Sequence, residues 1–322
     1  MNHKRFIQQL LSLCGIALVF VLLNLTIYHT FTYRVLPRYS EGMQAKSIEL
    51  DAYLPFVEET KIVKVEGQPK LSGKLPVIDG AAALYPLFSA TVHAIYPEGC
   101  VEFDGGNFTE NSALQYRNTR GAYQAIVDGD IDIAICVAPS DEQVAYAAEQ
   151  GVSLVYTPIG REAFVFLVNK SNTVSSLTQE EIRGIYAGRY NNWSDFGGKD
   201  KNIAALQRNA GSGSQSAFLS FMAAGGETPV PDYDAAWGSA IGFSFRYYVE
   251  GLVAEGSVKL LAPDGIEPNV ENIKNNTYPL TYDIYAVHRA DEQNPNVQVV
   301  IDWLLSDAGQ SMIEQTGYVG VK

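Results

Sequence analysis

The segment 208–215, with the sequence Arg-Asn-Ala-Gly-Ser-Gly-Ser-Gln, has the residue types of an anion-binding loop. It lies between a predicted strand over 203–206 and a predicted helix that contains Phe218 and Phe221. Glycines let successive backbone N–H groups point into one concavity, and a helix N-terminus adds partial positive charge. Arg208 would add a full charge and a planar fork of donors that suits a tetrahedral oxyanion. Because Gly/Ser clusters also occur in plain connections, the loop needs support from elsewhere in the chain.

Three further segments place small or polar residues where a predicted helix begins. The segment 79–86, Asp-Gly-Ala-Ala-Ala-Leu-Tyr-Pro, follows a predicted strand over 76–78. In 118–121, Thr119 or Asn118 is expected to cap a helix that runs to residue 127. The segment 138–141, Ala-Pro-Ser-Asp, comes directly after a predicted strand over 131–137. Each alone is typical of an ordinary cap or turn, but four helix starts at the carboxyl ends of parallel strands can meet at one ligand.

Residues for catalysis or metal binding form no comparable pattern. Of the four histidines, only His93 and His288 lie in the globular part, and no Gly-x-Ser-x-Gly segment supplies a nucleophile. The cysteines and histidines lack the spacing of a zinc site, and the 208–215 loop lacks the Lys-Ser/Thr ending of a Walker loop. We therefore predict a protein that is not an enzyme and needs no cofactor. A hydrolase that depends on His93 is the alternative, and it predicts turnover that His93→Ala abolishes.

The first thirty residues predict a membrane anchor. After Lys4 and Arg5 no charged residue appears until Arg34, and residues 10–28 are almost continuously apolar, which matches a membrane span. The run ends without a small-x-small cleavage site, so an uncleaved helix with a cytoplasmic N-terminus is expected, with residues 34–322 on the extracellular face. Cleavage at a weak site is the alternative. Lipidation of Cys14 is disfavoured, because Leu13 precedes it and the apolar run continues beyond it.

The composition and the element pattern of the remaining chain predict an α/β protein. A length of 322 residues suggests roughly two domains, and a net charge of −13 argues against a nucleic-acid partner. Predicted strands over 101–103, 131–137, 154–157 and 164–168 alternate with helical patterns. Thr178 and Glu181 form a capping box that begins one of these helices. Cys100 and Cys136 either pair or stay as buried thiols.

Ordered motifs extend along residues 71–322. They include Ile78-Asp79-Gly80 with Leu84-Tyr85-Pro86, Asn118-Thr119, Pro139-Ser140, Ile185-Tyr186-Ala187-Gly188, Arg208 with Gly211-Ser212-Gly213-Ser214, and Ile241-Gly242-Phe243-Ser244. In this order they resemble the phosphate-binding substrate-binding proteins of ABC transporters, in the form common in Gram-positive bacteria. The resemblance implies a partner permease in the membrane and inorganic phosphate or a related oxyanion as ligand.

The resemblance implies a periplasmic-binding-protein-like fold with two α/β lobes, joined by hinge strands that cross near 161–166 and 281–287. The expected order is an N-terminal transmembrane segment over 1–33, a stalk with some packed structure over 34–74, a first lobe over 75–162 plus 285–322, and a second lobe over 163–284. The implied anion contacts are Ala81, Ala82 and Ala83 through their backbone amides, together with Thr119, Ser140, Arg208, Ser212, Gly213 and Ser214.

Two departures from the family pattern bear on selectivity. The family commonly has Ser or Thr in the first loop, where this chain has three alanines. In well-known members a buried aspartate accepts the phosphate proton at the end of the strand that matches 131–137, where this chain reads Ile135-Cys136-Val137-Ala138. Asp141 is near but is expected to point outward. These departures motivate a second hypothesis, a membrane-tethered sensor or interaction module that keeps the fold with a weakened or altered oxyanion site.

Overall fold

The computed structural model describes residues 3–30, 48–230, 239–253 and 256–322. Two compact units are present, Met1–Gln44 and Ala45–Lys322. The first unit contains helix α1, His3–Thr30, whose segment Leu11–His29 has a mean hydropathy of 2.3 and is long and apolar enough to cross a membrane. A signal sequence has the same length and composition, so the uncleaved anchor stays a prediction.

The second unit, Ala45–Lys322, alternates strands and helices, as the sequence predicted. A 3-10 turn over Leu50–Tyr53 precedes its first strand, and further short turns lie at Ala82–Leu84 and Trp193–Phe196. A π-helical turn covers Tyr248–Val253. The strands are β1 Ile78–Gly80, β2 Ile133–Cys136, β3 Leu154–Asn169, β4 Ser176–Leu177, β5 Ile203–Ala205, β6 Ser239–Phe245, β7 Val258–Leu260, β8 Ala262–Pro263, β9 Thr281–Arg289 and β10 Val319–Gly320. The helices are α2 Tyr85–Ile95, α3 Asn118–Asp128, α4 Asp141–Glu149, α5 Gln179–Tyr186, α6 Gly213–Ala224, α7 Val270–Lys274, α8 Pro295–Leu305 and α9 Asp307–Thr316.

The long strand β3 connects the two halves of the main sheet, whose strand order is β1-β2-β9-β3-β6-β5. Its first part pairs antiparallel with β9, from Leu154 opposite Arg289 to Ala163 opposite Thr281. Its last part pairs antiparallel with β6 and β7. The sequence predicted two strands over 154–157 and 164–168. They are one continuous strand, with a register irregularity between Pro158 and Gly160 that lets the chain pass through the proline.

Buried side chains form two separate clusters, which we call the first core and the second core. The first core contains apolar residues of β1, α2, α3, β2, α8 and α9, and the second contains those of the last part of β3, α5, α6 and β6. Strand β3 contributes to both, since Ile159 belongs to the first core and Phe164 to the second. The expected lobe boundaries, 75–162 plus 285–322 and 163–284, stay a prediction.

The described part of the predicted stalk packs on the first core. Ile62 and Leu71 are buried in it, and the Tyr85 hydroxyl donates to the Leu50 carbonyl at 3.3 Å. The Ser89 hydroxyl donates to the Tyr53 carbonyl at 2.5 Å, so helix α2 is held to this segment at two points. Residues 34–47 of the predicted stalk lie outside the described residues.

One predicted strand, over 101–103, is wrong. Phe103 forms a single bridge with Phe108, and the chain reverses between them. The Asp104 carboxylate accepts hydrogen bonds from the Gly106 and Asn107 amides at 2.9 and 2.7 Å, which stabilises this turn. Because this turn begins directly after Phe103, the pairing of the two chain segments does not extend beyond the single bridge.

The cysteines are free thiols. Cys136 is buried in the first core on β2, and Cys100 is half-buried. The alternative of a disulfide between them, left open by the sequence, is therefore not the arrangement in this structure.

Candidate functional site

A cavity of about 370 Å³ brings together most of the residues that the sequence predicted for anion binding. Its walls come from loops at the carboxyl ends of strands of both halves of the sheet, the position where ligands bind in α/β proteins. Ser140 is not among the residues that line it. The predicted residues in the lining are Ala81, Ala82, Ala83, Thr119, Arg208, Ser212, Gly213 and Ser214.

The loop 208–215 has the strand–loop–helix setting that the sequence predicted. Strand β5 leads into it, and Ser212 is the N-cap of α6, accepting a hydrogen bond from the Gln215 amide at 3.2 Å. The Gln215 side chain in turn accepts from the Arg208 amide at 2.9 Å. Gln215 therefore fixes the backbone of Arg208 against the first turn of α6. The N-terminus of this helix, with its partial positive charge, faces the same cavity as the Arg208 side chain.

The Arg208 guanidinium is half-buried in the cavity wall. Among the described residues it makes no hydrogen bond and no ion pair. Burial lowers the pKa of this guanidinium, although the group stays charged at any physiological pH. A charge that is withdrawn from water and has no counter-charge is unfavourable, so this position favours an anion as partner.

In the first loop, 79–86, the backbone amides of the three alanines are not equally available to a ligand. The Ala81 amide donates to the Ile135 carbonyl at 2.9 Å, so this N–H extends the pairing of β1 with β2 and is not available to a ligand. Ala82 and Ala83 begin the 3-10 turn, where the first amides have no partner within the helix. The backbone of β2 lies so close to position 80 of β1 that this position requires glycine, because a Cβ there would lie 2.4 Å from the Ile135 oxygen.

Helix α3 begins without a side-chain cap. The N-cap is Arg117, and neither Asn118 nor Thr119 caps the helix, contrary to the prediction. Asn118 has a φ of 57°, in the left-handed region that asparagine tolerates better than most residues. The buried Thr119 lies against the 208–215 loop, since a Cβ on Gly213 would be 3.2 Å from the Thr119 hydroxyl oxygen. The N-termini of α3 and α6 thus meet at one place.

Ser140 caps a helix. It is the N-cap of α4, where its hydroxyl accepts from the Gln143 amide while the Gln143 side chain accepts from the Ser140 amide. Ser140 is not among the residues that line the cavity, and its role as an anion contact stays a prediction. Asp141, in the first turn of α4, is exposed as predicted.

One carboxylate in the cavity wall was missed by the sequence reasoning. Glu162 on β3 lines the cavity, and 1% of its surface is exposed. Its oxygens accept the Ala163 amide at 2.8 Å and the Tyr247 amide at 3.2 Å, and the Arg246 Nε lies 3.5 Å away. Burial raises the pKa of Glu162 to about 7, against the lowering effect of Arg246. The signal in the sequence was an acid next to Arg161, directly before the apolar run 163–168.

Aromatic residues complete the cavity. Tyr116, Phe245 and Tyr248 line it, and none of them belongs to a motif that the sequence singled out for ligand binding. The Tyr116 ring packs edge-on against Tyr85 with centroids 5.4 Å apart, and Tyr85 packs in the same way against Tyr53 of the segment before β1. A continuous row of rings therefore links that segment to the cavity wall.

The fold and the cavity define a two-lobed α/β binding protein with its ligand space between two cores. The chain belongs to the PBP superfamily, because the model of the PBP superfamily domain matches residues 77–308.

The relatives agree with the family resemblance seen in the motifs. The phosphate-binding protein PstS of Bacillus subtilis is 24% identical over 268 residues, which cover 80% of this chain and 83% of that protein. PstS of Staphylococcus aureus is 27% identical over 219 residues, covering 62% and 67%. The crystal structure of an ABC-type phosphate transport receptor from Vibrio cholerae has the same fold, with a TM-score of 0.55, 21% identity, and coverage of 75% of this chain and 98% of that one.

Proposed function

We propose that the cavity binds inorganic phosphate or a closely related oxyanion, and that the protein delivers this ligand to an ABC-type permease. The observation that carries the proposal is the half-buried Arg208 guanidinium, which lines the cavity and has no partner among the described residues. Relatives named as phosphate-binding proteins, and a fold shared with a phosphate transport receptor, support phosphate as the anion.

The other donors in the lining support a tetrahedral oxyanion. In the proposed complex, the amides of Ala82 and Ala83 approach the ligand from one side of the cleft and the N-terminus of α6 approaches from the other. The Ser212 hydroxyl accepts from Gln215, and its hydrogen remains free to donate to a ligand. Thr119 and Ser214 supply further hydroxyls. Neutral donors of this kind fix an anion from several directions without adding charge that would also attract unrelated anions.

We also propose that α1 holds the binding unit at the outer face of the cell membrane as a single-pass anchor. Its apolar segment Leu11–His29 has the length of a span, and Lys4 and Arg5 precede it on the side expected to remain in the cytoplasm. Intact mass of the membrane-extracted protein tests this. A mass that includes residues 1–30 is expected, and a mass that lacks them would contradict the anchor.

We propose that the protein binds and delivers its ligand and catalyses no reaction. The relatives reported above are named as binding proteins and a transport receptor, and this favours transport over the alternative of a tethered sensor. Neither His93 nor His288 is among the residues that line the cavity, so the hydrolase alternative that depends on His93 finds no support at the proposed site.

Calorimetric titration tests the binding step. The full-length chain in detergent, freed of bound ligand by partial unfolding and dialysis, is titrated with phosphate, arsenate, sulfate and phosphonates. Saturable one-to-one binding of phosphate is expected, and absence of binding to all four would refute the proposal. Delivery is tested by uptake of labelled phosphate into cells that lack the chain. Uptake should fall, and unchanged uptake would contradict a transport role.

A further inference from the structure

A large part of the cavity wall is apolar, although the proposed ligand is an anion. The alanines of the first loop form one stretch of it, and a second stretch, which we call the aromatic wall, consists of Tyr116, Phe245 and Tyr248. Phe245 and Tyr248 are buried, and Tyr116 is half-buried. Methyl groups and ring carbons donate no conventional hydrogen bond, so an anion oxygen that points at them loses its water without gaining a partner.

The aromatic wall begins beside the guanidinium that is expected to hold the anion. Burial raises the pKa of Tyr248, against the lowering effect of Arg208. Burial also raises the pKa of Tyr116 to about 12, and Tyr248 adds to this rise. Because electrostatic effects weaken with distance, the Tyr248 phenol lies near the Arg208 guanidinium on one side and near the Tyr116 phenol on the other. An anion at Arg208 therefore has the aromatic wall next to it.

Packing holds the rings of the aromatic wall in place. The Tyr116 ring packs edge-on against Tyr85 with centroids 5.4 Å apart, and the Phe245 ring packs edge-on against Phe164 with centroids 5.9 Å apart. Tyr85 belongs to the first core and Phe164 to the second, and both are fully buried. The apolar surface is therefore a fixed part of the cavity, and it comes from both halves of the sheet.

The cavity is also larger than an inorganic anion requires. Its volume of about 370 Å³ lies within the range of about 300 to 1,000 Å³ that is typical of sites for small organic molecules. A water molecule takes up about 30 Å³ in the liquid, so the cavity has the volume of roughly a dozen waters. A phosphate ion has only five non-hydrogen atoms. Inorganic phosphate at Arg208 would therefore leave most of the cavity unfilled.

We propose that the cavity binds organic phosphates, namely phosphate monoesters and phosphonates, with the anionic group at Arg208 and the N-terminus of α6 and the organic group against the aromatic wall. The inference rests on the proposed function, because it concerns the ligand of that same site. In such a ligand an organic group is attached at one corner of the tetrahedron. The remaining oxygens can then face the donors while the organic group covers the apolar surface.

A series of ligands that differ only in the organic group tests this. Methyl, ethyl, propyl and phenyl phosphate are titrated by calorimetry into the full-length chain in detergent. At mildly alkaline pH these esters carry the same two negative charges as inorganic phosphate. Affinity is expected to rise about fourfold for each CH₂ group from methyl to propyl phosphate, because each buries further apolar surface. Propyl and phenyl phosphate should bind at least as tightly as inorganic phosphate.

Tyr248→Ala is the decisive variant, because it removes the ring of the aromatic wall that lies nearest the anion. The ratio of propyl to methyl phosphate affinity, about 15-fold in the wild type, should fall below about fourfold. Tyr248→Phe keeps the ring and should keep the ratio. Tyr190→Ala is the matched control, since it removes a partly exposed tyrosine that is not among the residues lining the cavity, and it should leave the ratio unchanged.

The outcomes separate this inference from the proposed function. If the wild type binds neither inorganic phosphate nor any of the esters, the proposed function itself fails. If inorganic phosphate binds and every ester binds more than about tenfold more weakly, the proposed function stands and the inference of an organic ligand is refuted. A Tyr248→Ala variant that keeps the wild-type ratio would overturn the role of the aromatic wall. Should this variant not fold, the wild-type series still decides, because affinities that stay level or fall from methyl to propyl phosphate refute the inference.

Discussion

Substitution of the buried Glu162 by glutamine is expected to change how the stability of the unit Ala45–Lys322 depends on pH. Burial raises the pKa of Glu162 from 4.5 to about 7 in the folded protein. Between these two values the unfolded chain loses its proton while the folded protein keeps it, so the folded state binds more protons. Stability therefore falls as pH rises from about 4.5 to about 7, and above this window the contribution of Glu162 is constant.

The magnitude follows from the size of the shift. Each pKa unit corresponds to about 1.4 kcal/mol, so a shift from 4.5 to about 7 lowers the free energy of unfolding by about 3 kcal/mol across the window. Glutamine cannot ionise and lacks this contribution. The difference in unfolding free energy, variant minus wild type, should therefore be about 3 kcal/mol larger at about pH 8 than at about pH 4.

Urea unfolding of the full-length chain in detergent, without phosphate, measures this difference. Tryptophan fluorescence reports on the binding unit alone, because none of the three tryptophans lies in α1. Glu250→Gln is the control, because it removes an exposed carboxylate that also pairs with Arg246, and its difference from the wild type should vary by less than about 1 kcal/mol over the same pH range. A difference curve for Glu162→Gln that is equally flat would show that the carboxyl group titrates normally, and the reasoning from its burial would be refuted.

Three further predictions concern the cavity and the thiols. Arg208→Ala should weaken phosphate binding about 100-fold by calorimetry, because a charged bidentate contact is lost. Arg120→Ala is the control. It removes an exposed guanidinium at the rim of the cavity and should change phosphate affinity less than about threefold. Equal losses in both variants would contradict a special role for Arg208. Gly213→Ala should weaken phosphate binding about tenfold, because the added methyl would lie 3.2 Å from the Thr119 hydroxyl and push the N-termini of α3 and α6 apart. Unchanged affinity would show that these two helix starts can separate at little cost. Thiol titration of the denatured, unreduced protein should count three free cysteines per chain, and a count of one would reveal a disulfide.

Features that depend on a few neighbouring residues were predicted correctly from the sequence. The capping box at the start of α5 is present in both directions, with the Thr178 hydroxyl accepting from the Glu181 amide and the Glu181 carboxylate accepting from the Thr178 amide. The strand–loop–helix setting of Arg208 is present as well. The capping box needs only residues 178–181, and the setting of Arg208 lies within the segment 203–215, so the local pattern is sufficient in both cases.

Features that depend on distant pairing could not be predicted. Glu162 reaches the cavity because β3 pairs with β9 on one side and with β6 further on, and no short pattern encodes that arrangement. The availability of the Ala81 amide could not be judged from the sequence either. This amide stands where a helix start was expected to face the ligand, but it donates to the Ile135 carbonyl and extends the sheet. A donor at a helix start is available to a ligand only when the fold does not use it first.

The charges of the chain show why an acidic protein can hold an anion site. The net charge of −13 is spread over the surface, and the interaction of exposed charges falls off within about 8 Å at physiological salt. Arg120, Glu162 and Arg208 are the acidic and basic side chains that line the cavity, and the Arg246 Nε lies 3.5 Å from the Glu162 carboxylate. We therefore expect local donors, and not the net charge, to govern whether an anion enters the cavity. Because Arg246 balances Glu162 while Arg208 has no such partner among the described residues, the cavity keeps an uncompensated positive charge for its ligand.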